Sequence, residues 1–570
     1  SNVRTPKTII ALTILTGSTL SQTRLVQWEG QVQDQRLGSR VIDAGDLNGD
    51  GVHDLALASI EFENFTGRVD VYSGADQSLL WTDQGGGTNA LFGHDLAPAG
   101  DLNGDGYDDL IISSPYEGGY GYVRVLSGLH TISPLSPQYL LVLQGPGGYV
   151  YMGRSVLAPG DINGDGWIDI VCGANEFSSK GAVYAFSGQT GALLWSHVGH
   201  DNDNELGVDL AIVDDLDGDG VSEIAAGAPG YSAQTNQAGL VRILSGVDGS
   251  ELPAYVLYGP TANARLGQVL DGSGDLDGDG RRELVGGAPN HTGSAANAEE
   301  GQVFVVAFDP GSNPCWTVRW SQQGGSSQAM FGSGISTAGD ADGDGVDDLF
   351  IGAKRSDGTG GFEGVGYLFS GADLTSPAKT IVSEAGGHLY SAADVAITGD
   401  LTGDGIGEML IGVGYSDTTG HDHGIAGLWS GSAGGYKFVC QAASNSAGGG
   451  AQIDFSGGTS VNANVFSLHA SGAAPSQPGL FFYGSAVTAA PFGDGFRCVG
   501  GQVFRLGPPS TSDANGELSR TVDMNAAPSA SGPGQISSGS SWTFQLWYRD
   551  PAAGGSGFNL SSAIQVGFSL

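Results

Sequence analysis

The 570-residue sequence predicts an all-β protein in which a seven-bladed β-propeller precedes a small β-sandwich. Three observations lead to this prediction. An acidic nonapeptide recurs seven times at a period of about 60 residues. Short apolar runs of strand-like composition surround each copy. The period stops near residue 437, and a different spacing follows. The predicted domains are therefore 1–437 for the propeller and 438–570 for the sandwich.

The nonapeptide has the form Asp-x-Asn/Asp/Thr-Gly-Asp-Gly-x-x-Asp/Glu. Calcium takes roughly six to eight oxygen ligands, and a tight loop supplies them from alternate side chains and one backbone carbonyl. The predicted metal ligands, with the seventh position of each loop contributing its carbonyl, are Asp46, Asn48, Asp50, Val52 and Asp54; Asp101, Asn103, Asp105, Tyr107 and Asp109; Asp161, Asn163, Asp165, Trp167 and Asp169; Asp215, Asp217, Asp219, Val221 and Glu223; Asp275, Asp277, Asp279, Arg281 and Glu283; Asp340, Asp342, Asp344, Val346 and Asp348; and Asp400, Thr402, Asp404, Ile406 and Glu408. We expect up to seven structural calcium ions, with the seventh site the weakest because Thr402 replaces an acid or amide.

These loops differ from EF-hands. An EF-hand closes with a bidentate Glu at position 12 and has a helix on each side. Position 12 here is never an acid, being Leu57 in the first copy and Ile112 in the second. The apolar run that follows each loop is short enough to be a buried strand. The loops are therefore predicted to connect β-strands.

The second copy shows the layout of one repeat. Its predicted strands are Leu91–Ala99, Leu110–Ser113, Gly121–Gly128 and Tyr139–Leu143. Four antiparallel strands repeated at this period are typical of propeller blades, which pack radially and bury one another's faces. Seven loops therefore predict seven blades.

The N-terminal segment, residues 1–25, offers strands beyond this count. Ala11–Gly17 matches the third-strand pattern, and the run from Arg24 to Trp28 has the phase of a fourth strand. The last blade already has a third strand at Gly427–Ser430 and a candidate fourth strand at Tyr436–Val439. The segment either closes the ring as a clasp or forms an extra edge that can pair with another copy.

The repeat resembles the FG-GAP repeat of integrin α-subunit propellers. The matching residues are Phe92–Gly93, Leu206–Gly207, Leu266–Gly267 and Phe331–Gly332 before the loop, and Gly227–Pro229 and Gly287–Pro289 after it. The resemblance covers roughly residues 20–437. It implies a calcium-binding β-propeller and carries the calcium ligands over to every loop position that keeps an oxygen.

The C-terminal part has alternating runs at Val461–Ala470, Gly479–Tyr483, Gln502–Leu506, Trp542–Tyr548 and Ala563–Phe568, separated by turn residues. This spacing predicts a β-sandwich of about seven strands. The aromatic segments Leu480–Gly484 and Trp547–Pro551 resemble a module of secreted proteins from planctomycete-type bacteria. We expect a bridge between Cys440 and Cys498, a free buried thiol at Cys172, and no obvious partner for Cys315.

Net charge and hydropathy exclude some classes of function. With 61 acidic against 22 basic residues, the formal net charge is −39, which argues against a nucleic-acid partner. No apolar stretch is long enough to span a membrane. The run Ile9–Leu15 looks faintly like a secretion signal, but its strand phase favours a strand, and we expect a mature secreted product at the cell surface or outside the cell.

The sequence therefore predicts a secreted, calcium-stabilised, non-catalytic scaffold for adhesion or extracellular structure, whose partner is an extracellular protein or glycan. One alternative is a self-assembling filament or sheath subunit that exchanges its N-terminal strands to form a homopolymer. A second is a polysaccharide-binding lectin or polysaccharide lyase, since related propellers carry such activities. Candidate sugar-stacking rings are Phe62, Phe65, Tyr116, Tyr120, Tyr122, Tyr149 and Tyr151.

Overall fold

The computed structural model describes residues 24–30, 35–133, 138–201, 203–233, 236–292, 299–309, 315–324, 329–354, 365–382, 394–403, 405–414, 423–431, 436–440, 445–446, 450–456, 461, 466–537, 540–551 and 556–568. The predicted strand at Ala11–Gly17 lies outside these residues.

Seven four-stranded antiparallel sheets form the blades of a propeller, as the period of the acidic loops predicts. In chain order their strands are β1 (Arg24–Glu29), β2 (Arg40–Gly45), β3 (Asp54–Ser59), β4 (Arg68–Tyr72), β5 (Leu79–Gln84), β6 (Leu96–Gly100), β7 (Asp109–Ser114), β8 (Tyr122–Leu126), β9 (Tyr139–Gln144), β10 (Val156–Gly160), β11 (Asp169–Gly173), β12 (Ala182–Phe186), β13 (Leu193–Val198), β14 (Leu210–Val213), β15 (Glu223–Ala228), β16 (Leu240–Leu244), β17 (Leu257–Tyr258), β18 (Val269–Asp271), β19 (Leu284–Ala288), β20 (Gln302–Phe308), β21 (Trp316–Gln323), β22 (Phe331–Ser336), β23 (Leu349–Ala353), β24 (Val365–Phe369), β25 (Lys379–Val382), β26 (Asp394–Ile397), β27 (Met409–Val413) and β28 (Ile425–Trp429). Blades 1 to 6 are built from β2 to β25 in consecutive sets of four, and blade 7 consists of β26, β27, β28 and β1.

Strand β1 closes the ring. It pairs antiparallel with β28, with Trp28 opposite Ala426, and so supplies the fourth strand of blade 7. The innermost strand of each blade contacts that of the next, and β26 of blade 7 contacts β2 of blade 1. Arg24–Glu29 is therefore the clasp that the strand phase of this segment allows. The candidate strand Tyr436–Val439 is not part of the seventh blade, because it pairs with a strand of the C-terminal unit.

The Phe-Gly pair, or the Leu-Gly or Met-Gly pair in its place, joins blades 1 to 6 each to the blade before it through a backbone hydrogen bond. In blade 2, Phe92 is buried and donates its N–H to the carbonyl of Thr66 in blade 1 at 3.0 Å. Gly67 has a φ of +82°, and a Cβ there would lie 2.3 Å from the backbone of Phe92. Only glycine permits this approach. Because the backbone of Phe92 is hydrogen-bonded to the neighbouring blade, the first strand of blade 2 begins at Leu96 and not at the predicted Leu91.

Charged groups join blades at the centre of the ring. The guanidinium of Arg40 in blade 1 lies 2.7 Å from Asp95 of blade 2 and 3.1 Å from Asp394 of blade 7. Both carboxylates are buried and also accept backbone N–H groups of the following blade, Asp95 from Val156 at 2.7 Å and Asp394 from Val41 at 2.8 Å. Arg40 therefore links the two blades that flank its own.

The C-terminal unit consists of two further sheets. Its strands are β29 (Tyr436–Cys440), β30 (Gln452–Ser456), β31 (Ser467–Ser471), β32 (Pro478–Phe492), β33 (Gly495–Arg505), β34 (Ser510–Thr511), β35 (Leu518–Thr521), β36 (Ser541–Arg549) and β37 (Phe558–Gly567). The sheet of β30, β31 and β35 shares one apolar core with the larger sheet, in which Phe466 packs on Phe544 at 5.4 Å between ring centres. Strand β29 pairs with β37, so Tyr436–Cys440 belongs to this unit.

The states of the cysteines that the structure describes agree with the sequence predictions. Cys172 is a free, buried thiol on β11, and Cys315 is also a thiol. Cys498 is disulfide-bonded. The side chain of Cys440 lies outside the described set, so its pairing with Cys498 stays a prediction.

In the described parts of the chain, helical structure is limited to short turns. The helices are α1 (Phe62–Phe65) and α2 (Gly128–Ile132), with 3-10 turns at Glu117–Gly119, Phe177–Ser179, Pro253–Tyr255 and Gly532–Gly534. Within the described residues, no helix has the length and apolar character to cross a membrane.

Candidate metal sites

The seven acidic loops lie on one face of the propeller. Each connects the first and second strands of its blade, and because the blades have the same strand order around the ring, these connections all fall at the same end of the strands. The loops share one backbone conformation. The glycine at position 6 donates its N–H to the aspartate at position 1 at 2.6–2.8 Å in all seven loops, as Gly51 does to Asp46.

Side chains at positions 1, 3 and 5 are exposed or half-exposed, whereas the acid at position 9 is buried in every loop. That acid is at most 2% exposed and opens the second strand or directly precedes it. All the predicted side-chain ligands therefore lie on the loops where the motif places them, except Asp404, which lies outside the described residues. A cation in such a loop would be held between solvent-facing acids and one buried acid.

Burial makes the position-9 acids costly to ionise without a cation. Desolvation raises the pKa of Asp54, Asp109, Glu223 and Glu283 to about 7 and that of Asp348 to about 8. Nearby carboxylates of the same loop add to the increase in each case. A bound divalent cation would reverse this effect, because it favours the ionised form.

The fourth loop gives the most direct test of fit. Ligand oxygens of Asp215, Asp217 and Glu223 lie within 4.8 Å of one another. Glu223 accepts the N–H of Leu216 through Oε1 at 2.9 Å, but within the described residues its buried Oε2 has no hydrogen-bond partner. A buried carboxylate oxygen without a donor is rare unless an ion fills the site. The oxygen-only donor set fits calcium.

The fifth loop differs in a way that its own sequence does not reveal. Arg319 on β21 contacts Asp277 directly and lies 3.2 Å from Glu283 through Nη1. Its guanidinium therefore neutralises two predicted ligands and competes with a cation. In the seventh loop, Thr402 donates its hydroxyl to Glu408 at 3.0 Å.

The loops also contact one another across blade boundaries. Asp108 accepts the N–H of Asp46 from the neighbouring loop at 2.8 Å, and Asp347 accepts that of Asp275 at 2.9 Å. Both acceptors are adjacent to a buried position-9 acid. A change in one loop is therefore transmitted to the interface with the next blade.

The opposite face carries an aromatic patch, defined as Tyr116, Tyr120, Tyr149 and Tyr151. The rings of Tyr116 and Tyr151 are 5.2 Å apart, and those of Tyr149 and Tyr151 are 6.3 Å apart. Tyr149 is 78% exposed. Tyr149 and Tyr151 have positive φ angles of 61° and 53°, which is uncommon for bulky residues and directs both rings at this site.

The FG-GAP repeat family model matches residues 92–126, 153–186, 206–244 and 271–306. Integrin alpha pat-2 of Caenorhabditis elegans is 27% identical over 210 residues, covering 32% of this chain and 17% of that protein. Integrin alpha-5 of Xenopus laevis is 30% identical over 237 residues, covering 40% and 22%. The chain thus spans about a fifth of the length of these relatives.

Two solved structures align with weak similarity. BBS1N in complex with ARL6DN has a TM-score of 0.41 at 10% identity, covering 71% of this chain and 96% of that chain. The Dos1 propeller has a TM-score of 0.39 at 12% identity, covering 69% and 77%. At these TM-scores neither structure supports the fold assignment, which rests on the sheet topology. The chain therefore contains four FG-GAP repeats and has integrin alpha subunits among its relatives.

Proposed function

We propose that the chain is an extracellular, calcium-stabilised, non-catalytic scaffold for adhesion or cell-surface structure. The observation that carries this proposal is the set of seven equivalent loops, each closed by a buried acid, on a ring related to integrin alpha subunits. The acidic net charge of −39 also suits a calcium-rich saline medium and disfavours nucleic acid as a partner.

Calcium in these loops would stabilise the ring. Ion binding to the folded state contributes ~1.4 kcal/mol per site when the free ion is at about ten times its Kd. Several such sites together are comparable with the ~5–15 kcal/mol that stabilises a typical folded protein. We expect excess chelator to lower the melting temperature of the propeller sharply, and added calcium to restore it. Magnesium is the control, since it prefers a smaller octahedral site. An unchanged calorimetric trace in chelator would contradict a structural role for calcium.

The aromatic patch is our candidate surface for an extracellular protein or glycan. It faces away from the calcium loops, so a ligand there leaves them undisturbed. Flat tyrosine rings stack on sugar CH faces and are common in protein interfaces. We expect Tyr149→Ala to weaken attachment of the calcium-loaded protein to a panel of immobilised polysaccharides and matrix proteins. Val142→Ala, at an exposed position of β9, is the matched control. Equal attachment by both variants would exclude the patch but leave the calcium scaffold standing.

A homopolymer is the second candidate, because within the described part of the chain the closing strand β1 is the outermost strand of its blade and pairs with β28. The same pairing can form between copies if the strand is exchanged. Light scattering and negative-stain imaging in calcium distinguish the two arrangements. Ordered polymers that disappear when residues 1–29 are removed would support exchange, whereas a monomer would leave β1 as an internal clasp.

A further inference from the structure

Two histidines and a glutamate meet between blades 3 and 4, away from the acidic loops. His197 lies on β13, the outer strand of blade 3, and His200 follows that strand. Glu251 belongs to blade 4 and forms an isolated bridge with Leu244 at the end of β16. One ligand atom from each of the three side chains lies within 4.8 Å of the other two.

The ring of His197 is fixed with one nitrogen available. Its Nδ1 lies 3.1 Å from the carbonyl oxygen of Gly249, which can only accept a hydrogen bond, so Nδ1 carries the proton. Nε2 is buried and has no hydrogen-bond partner among the residues that the structure describes. Burial also lowers the pKa of His197, which favours the neutral ring. A carbonyl that fixes the tautomer of an imidazole is the usual outer partner of a metal-ligating histidine.

The other two side chains are positioned by Arg242 and Asp203. Arg242 contacts Glu251 and forms a two-point ion pair with the fully buried Asp203, at 2.8 Å and 2.6 Å. Asp203 also accepts the backbone N–H of His200 at 2.7 Å. The charges of Glu251, Asp203 and Arg242 sum to −1, so the cluster favours a cation.

We propose that His197, His200 and Glu251 bind a zinc-class divalent cation that links blade 3 to blade 4. Two imidazole nitrogens and one carboxylate form a donor set for zinc and similar transition metals, with a fourth position open to water. The separation of 3.5 Å between His200 Nε2 and Glu251 Oε2 is close to the roughly 3.3 Å between two ligands of a tetrahedral zinc ion. The side chain of His200 is 57% exposed, and its ring stacks beside that of His197 at 6.4 Å between ring centres.

This site differs in chemistry from the calcium loops, which supply only oxygen ligands. Saturating calcium therefore occupies the loops and leaves the histidine site for zinc. The test is calorimetric titration of the full chain with zinc in saturating calcium, together with the visible spectrum of the cobalt-substituted protein. We expect one zinc equivalent per chain and the intense absorption of four-coordinate cobalt.

The variants His197→Gln and His200→Gln should each weaken zinc binding by at least about tenfold, because each removes one of three protein ligands. His200 is largely exposed, so its replacement leaves folding intact and decides the outcome if the other variant is unstable. His469→Gln is the matched control, since this histidine bonds Ser519 on the separate sandwich sheet. Zinc binding that is unchanged in both site variants, or that calcium displaces, would overturn the proposal.

Discussion

Replacing Arg40 by methionine tests how the propeller ring is held closed. The change keeps the length of the apolar stem but removes the charge between Asp95 and Asp394. Each carboxylate is 8% exposed and would remain at the centre of the ring without a counter-charge. Removing one partner of a buried ion pair typically costs ~3–5 kcal/mol. Because the Arg40 side chain is 33% exposed, water screens part of this loss, and we expect a decrease of ~2–3 kcal/mol in the free energy of unfolding.

Denaturant unfolding in saturating calcium measures this decrease while keeping the metal loops constant. Arg265→Met is the matched control, because Arg265 pairs with the more exposed Glu205 at 2.7 Å, and such pairs contribute only ~0–1 kcal/mol. Adding Asp95→Asn and Asp394→Asn to Arg40→Met should restore more than half of the lost stability. If Arg40→Met costs no more than Arg265→Met, the central ion pairs do not stabilise the ring.

Three further perturbations test the loops, the hub and the clasp. Arg319→Met should raise the calcium affinity of the fifth loop by up to about fivefold in calorimetric titration, because the released ion pair with Asp277 is half-exposed and contributes at most ~1 kcal/mol. Burial raises the pKa of Asp209 to about 7, above its ordinary value. Its protonated form therefore contributes stability that is fully present below about pH 4 and lost as the pH rises through about 7. Asp209→Asn should remove this part of the pH dependence of unfolding in saturating calcium. Trp28→Ala should cost ~3–5 kcal/mol in denaturant unfolding, because the buried ring packs against Tyr72 at 5.3 Å and couples the clasp to blade 1.

Each of these has a matched control. Arg282→Met removes a charge beside the same loop without touching a predicted ligand and should leave the fifth site unchanged. Asp513→Asn alters an exposed acid of the sandwich and should leave the pH dependence intact. Val142→Ala on the outer edge of blade 2 should cost less than ~0.5 kcal/mol. A calcium titration unaffected by Arg319→Met, a pH profile unaffected by Asp209→Asn, or a Trp28→Ala variant as stable as Val142→Ala would each refute the corresponding argument.

Local sequence predicted the position and the turn of each acidic loop because the residues that form the turn lie within nine residues of one another, whereas metal binding by these loops stays a prediction. Glycine at position 6 and alternating acids define the turn without reference to distant contacts, so the geometry around Asp46 recurs at Asp101. The start of the first strand of blade 2 was predicted too early, at Leu91 instead of Leu96. Phe92 looks like a strand residue, but its backbone bonds to the preceding blade, and the pairing partner of a residue is not visible in local alternation.

The same limit explains the wrong assignment of Tyr436–Val439 and the open choice of partner for Arg24–Glu29 at the chain ends of the propeller. Tyr436–Val439 has strand alternation that suits a blade, yet it pairs with β37. Arg24–Glu29 has fourth-strand phase, and the phase alone left its partner open. The alternation of apolar and polar residues determines which face of a strand is exposed. The strand with which it pairs is determined by packing among segments far apart in the chain.

The sequence by itself determined the repeated blade, the number of blades and the acidic loops, because each depends on interactions within about 60 residues that the period repeats. Only the tertiary structure decided how the ring closes, which charges meet at its centre, that Arg319 enters the fifth loop, and that His197 faces Glu251. These features join segments from different blades. Their physical origin is the desolvation and pairing of side chains that come together only when the blades pack.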